Sequence, residues 1–118
     1  MSCAQFVTES FAVRTAAHLR HLSATTYASH VALGEFYEEL TELTDKYAEV
    51  SMGLDGIQIS QWPAAAPPKV EAIPLLEMYQ GVVRDQQKED KTRQSLLNIL
   101  AEMEELTARS LYKLRFLK

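Results

Sequence analysis

The chain of 118 residues is short of several things, and each shortage excludes a class. It has one cysteine, Cys3, so no disulfide can form within it, and a reducing compartment is the simplest expectation. At the head of the chain, Cys3 reads as a frayed terminal residue rather than a reactive thiol. No apolar run approaches the ~20 residues that span a bilayer. The opening "MSCAQFVTES" lacks the basic-then-apolar order of a secretory signal, which leaves the cytoplasm as the expected location. The net charge is −4 and neither end carries a lysine- or arginine-rich tail, which argues against a nucleic-acid partner. There is no phosphate-binding glycine loop, no CxxC pair and no nucleophilic triad. Glycine is scarce, and three of the four prolines (63, 67 and 68) fall in one short stretch.

What the chain has in quantity is helical periodicity. Phe6, Phe11, Val13, Ala17, Leu19 and Leu22 recur at roughly helical spacing, and "SATTYAS" then interrupts them. From near Ser29, the residues Leu33, Phe36, Tyr37, Leu40, Leu43, Tyr47, Val50 and Leu54 step by threes and fours, one apolar stripe on a long helix. Glu38, Glu39 and Glu42 mark its solvated face, with Glu42 and Lys46 spaced to pair. Gly53 and Gly56 mark its end. Residues 55–72, with Trp62 and the prolines, read as a long crossover, and Trp62 as a packing anchor within it. A third helix is expected from Ile73-Pro74. The polar run "RDQQKEDKTRQ" reads as a turn before a fourth helix, with Asp90 or Thr92 as its cap; the alternative is one helix continuing through residues 73–118. Tyr27, Tyr37 and Tyr47 are expected in the core and at interfaces. The sum is an all-α, four-helix bundle in a single domain, with its long connection between the second and third helices.

The chemistry-bearing residues cluster early. All three histidines lie at 18, 21 and 30, and Asp45 and Glu49 follow one helical turn apart. Imidazole and carboxylate donors together suit iron, zinc or manganese. His30 and Asp45 are fifteen residues apart on one predicted helix, or ~22 Å. They can reach one ion only if two chains meet antiparallel about a two-fold axis, which would give two sites per dimer.

The pattern His18-x11-His30-x14-Asp45-x3-Glu49 resembles the ferroxidase signature of the Dps mini-ferritins, in the ferritin-like superfamily. "FYEELTELTDKYAE" resembles that family's second helix and "SLYKLRFLK" the end of its fourth. The resemblance implies a ferritin-like bundle forming a homodimer, with His18 and His30 from one subunit and Asp45 and Glu49 from its mate. It implies oxidation of Fe²⁺ by peroxide or O₂, and iron storage with protection from oxidative stress if a dodecameric shell closes. The chain departs from the family at Leu19 (usually Trp), at Val50 (commonly Arg) and at Gly34 (sometimes an acid, with Glu35 next to it as a possible accessory ligand). It is also short after the second helix, as in mini-ferritin-like chains of some tailed bacteriophages. His21, one turn from His18, reads as a surface or dimer-contact histidine, with an accessory ligand role as the alternative. Two rival readings are a non-catalytic ferritin-like helical interaction protein and a dimer stapled by a structural metal, zinc included.

Overall fold

A computed structural model describes all residues from Met1 to Lys118. Four helices follow in order: α1 (Cys3–Leu22), α2 (Tyr27–Asp55), α3 (Ala72–Glu89) and α4 (Gln94–Phe116). The expected topology is present, with a short α1–α2 link, a long α2–α3 crossover and a short α3–α4 link. The polar run divides: residues through Glu89 extend α3, and only the four residues from Asp90 to Arg93 make the break. The amide of Arg93 closes that break on the Asp90 carbonyl at 2.8 Å. Asp90 therefore ends α3 rather than capping α4.

Local chemistry explains most of the boundaries. Ser2 opens α1 with a capping box: its hydroxyl accepts from the Gln5 amide, and the Gln5 side chain accepts from the Ser2 amide. The Thr26 hydroxyl caps α2 by accepting from the Ser29 amide, so α2 begins two residues earlier than the apolar stripe alone suggests. Gly56 ends α2 at φ 65°, a left-handed conformation that suits glycine, while Gly53 stays inside the helix. Pro74 lies in the first turn of α3, where a missing N–H costs no helical bond.

α1 packs on α2 and α3, and α4 packs on α2 and α3, so the helices run α1, α2, α4, α3 around the bundle. One contiguous core draws on all four: Phe6 and Val13, Phe36 and Leu40, Leu76 and Tyr79, Leu96 and Leu100 are fully buried. Tyr47 also sits in the core, as its position in the stripe predicts. Its hydroxyl donates to the Asp90 carboxylate, and the Gln86 amide donates to both at 3.0 and 3.2 Å. This polar knot ties α2 to the α3–α4 break. Burial, and the hydrogen bond to Asp90 after it, push the Tyr47 phenol well above its usual range.

Several expected details change in three dimensions. Leu19, Leu22 and Leu54 belong to the apolar pattern but are exposed, and Tyr27, expected in the core or at an interface, is 82% exposed. Lys46 reaches across to Glu102 of α4 at 3.6 Å instead of pairing with Glu42. Cys3 is not frayed; it lies in the first turn of α1, half-buried, and burial raises its thiol pKa. No helix is long and apolar enough to cross a membrane.

Candidate metal centre

The α1–α2 link brings the three histidines together. The His21 Nδ1–H donates to the His30 carbonyl at 2.6 Å, and the His30 Nδ1–H donates to the His21 carbonyl at 3.0 Å. A carbonyl can only accept, so Nδ1 is the donor in both rings, and Nε2 is the nitrogen that each leaves for another partner. The two rings stack at 3.8 Å between centroids. His18 lies one turn down α1 and stacks on the Tyr37 ring at 4.0 Å. The Arg14 guanidinium sits 5.6 Å from the Tyr37 centroid, and Arg14 Nε donates to Thr41 at 3.1 Å. His21 is thus a buckle between α1 and α2 rather than a free surface group.

Gly34 makes the buckle possible. A Cβ there would lie 3.1 Å from His21 Cε1 and 3.2 Å from Nδ1. A glycine in a helix interior is unfavourable by ~1 kcal/mol against alanine. That anomaly was the sequence signal that something packs close to the backbone at this point. Glu35, the candidate accessory ligand, turns to α4 and accepts from Lys113 Nζ at 2.7 Å, away from the histidines.

Asp45 and Glu49 occupy the opposite half of the same groove. Both are exposed, and neither enters any ion pair of the chain. They border a largely apolar hollow of about 380 Å³ walled by Val7, Phe11, Ala48, Met52 and Trp62. Trp62 is 43% exposed, so it forms a wall of this hollow instead of a buried anchor. The neighbouring α2–α4 groove differs: Lys113–Glu35, Arg109–Glu39 and Lys46–Glu102 pairs cross it.

Within one chain the structure gathers His18, His21 and His30 at one end of the groove and Asp45 and Glu49 at the other. It does not join the two sets, and no three histidine, cysteine or acidic side chains converge on a point that could hold an ion. His30 and Asp45 lie on one unbroken helix, which keeps their backbones ~22 Å apart. Fifteen residues at 100° each leave them only ~60° apart around its axis, so both face the α1–α2 side. The donor set of two imidazoles and two carboxylates suits iron or zinc, but only when supplied from two chains.

Comparisons with curated proteins and with solved structures find no match. Residues 21–114, most of the chain, match a family described as one of unknown function, DUF5856. The matched span begins at the His21 buckle and takes in the acid pair, the crossover and nearly all of α4, and the chain therefore belongs to the DUF5856 family.

Proposed function

We propose that the chain is a non-catalytic helical interaction protein, whose α1–α2 face pairs antiparallel with a second copy and whose histidines and acids staple that pair through a structural metal ion. The observation that carries this reading is the division of one groove into a histidine end and an unpaired acid end. An antiparallel pair brings unlike ends together twice. It also relieves the mutual repulsion of Asp45 and Glu49, which have no cationic partner of their own. The experiment is complementation, followed by light scattering and metal analysis. His18→Ala and Asp45→Ala should each lose metal binding and weaken the pair. Mixing the two should restore about one site per heterodimer, because one chain keeps both acids and the other both histidines. Heterodimers that form without recovering metal would leave the histidines and acids as unconnected features.

A second reading, ferroxidase activity at the same joint, is favoured by one specific feature. His30 is exposed while its Nδ1–H is held by a carbonyl, the arrangement that metal-binding histidines use to aim Nε2 outward. Carboxylates as hard anionic donors favour Fe³⁺, and neutral imidazoles hold Fe²⁺ without excess charge. Under this reading, Fe²⁺ bound anaerobically turns ferric on addition of hydrogen peroxide faster than in buffer, and Glu49→Gln slows that step. Iron that binds and oxidises no faster than in buffer leaves the structural staple.

A further inference from the structure

The hollow beside the acid pair has a matching knob on the same molecule, at the other end of the groove. His18 lies against Tyr37, Arg14 against Thr41 and His21 against Gly34, and in each pair the residue numbers sum to 55. That register places Leu22 of α1 level with Leu33 of α2. Leu22 is 67% exposed and lies one turn beyond His18 on the same stripe of α1. Phe11, a wall of the hollow, lies on that stripe too.

The axis of an antiparallel pair follows from the ligand positions. His18 and His30 stand level with positions 37 and 30 of α2, and Asp45 and Glu49 with 45 and 49. Bringing the two sets together puts the two-fold axis near position 40. The same operation carries Leu22 to the level of Ala48 in the second copy. The walls that stand there are Phe11, Ala48, Met52 and Trp62, and the hollow has no lysine or arginine in its lining.

We infer that the hollow walled by Trp62, Phe11, Ala48 and Met52 is the receptor for Leu22 of a second copy, which sets the register of the antiparallel pair. The inference rests on the proposed pairing, and it adds the contact that selects this pairing over a slipped one. The hollow is open on one side and apolar, and seating Leu22 in it would bury apolar surface that a pairing slipped by a turn leaves in water, which is how the contact favours this register.

Cross-linking tests it. In one chain Leu22 and Met52 are separated by ~28 Å along the bundle, far beyond disulfide reach, so a bridge between them must join two chains. In a Cys3→Ser background, Leu22→Cys with Met52→Cys should oxidise to a covalent dimer. Leu22→Cys with Glu104→Cys, on the outer side of α4, should not. Independently, Leu22→Asp should weaken association about ten-fold or more and shift the emission of Trp62, the sole tryptophan, to the red. Dimers by light scattering with no cross-link above the control, and with Leu22→Asp unchanged, would overturn the Leu22 contact while leaving the pairing intact. A chain that stays monomeric at micromolar concentration, with and without Fe²⁺ or Zn²⁺, overturns both.

Discussion

Alanine at Gly34 and alanine at Gly81 should move stability in opposite directions, although both are glycine replacements inside helices. At Gly81 an added Cβ meets nothing within 4 Å. Alanine there gains the ordinary helix preference, ~1 kcal/mol, which corresponds to a rise in Tm of about 4 °C in a domain of this size. At Gly34 the same gain is opposed by the His21 ring, 3.1 Å from the new carbon. The ring is not free to step aside. Its Nδ1–H is held at 2.6 Å by the His30 carbonyl, and it stacks on His30 at 3.8 Å. Shifting it lengthens a hydrogen bond worth ~1 kcal/mol and disturbs a ring pair worth about 0.5–1 kcal/mol. Gly34→Ala should therefore be destabilising by about 0.5–1 kcal/mol, roughly 1.5–2 below Gly81→Ala. Urea unfolding followed by circular dichroism measures this, provided that the slope stays constant. A double mutant supplies the internal check: with His21→Ala in place, Gly34→Ala should recover its gain of ~1 kcal/mol. A Gly34→Ala protein as stabilised as Gly81→Ala would show that His21 is not locked between the helices.

Three other outcomes follow from the fold. Tyr47→Phe removes the hydroxyl that donates to the buried Asp90 carboxylate and should cost ~2 kcal/mol in urea unfolding; a change under 0.5 kcal/mol would mean that water or Gln86 replaces it. Gly56→Ala forces a side chain into φ 65° and should cost about 1 kcal/mol, with no offsetting gain in packing since nothing lies near its Cβ. Burial raises the phenols of both Tyr47 and Tyr79 in the folded chain, so the unfolded chain releases these protons first. The stability they confer is complete below about pH 10 and falls as pH climbs past it, and ultraviolet titration should show both phenols ionising together with unfolding. Ionisation of all five tyrosines while the helical signal persists would contradict their burial.

The sequence by itself determined the helices. A hydroxyl before an apolar stripe, a glycine after it and clustered prolines are local signals acting over a few residues, and they locate α1, α2 and the crossover; the break between α3 and α4 stayed open, because its polar run suits a turn and an exposed helical face alike. Periodicity also placed Tyr47 inside while Asp45 and Glu49, on either side of it, faced out. Periodicity states which residues share a face, though, and not what meets that face. Leu19, Leu22 and Leu54 fit the apolar pattern and still lie exposed, because a periodic face is buried only where another element packs on it. Lys46 had a partner at the proper local spacing and took Glu102 instead, since the neighbouring helix offered a carboxylate as near. The His21–His30 buckle, the position of Trp62 beside the acid pair and the Tyr47–Asp90–Gln86 knot join residues 9 to 43 positions apart, or set a crossover against two helices. Those contacts exist only once the helices have packed, because packing distance, not sequence spacing, decides which side chains share a hydrogen bond or a wall.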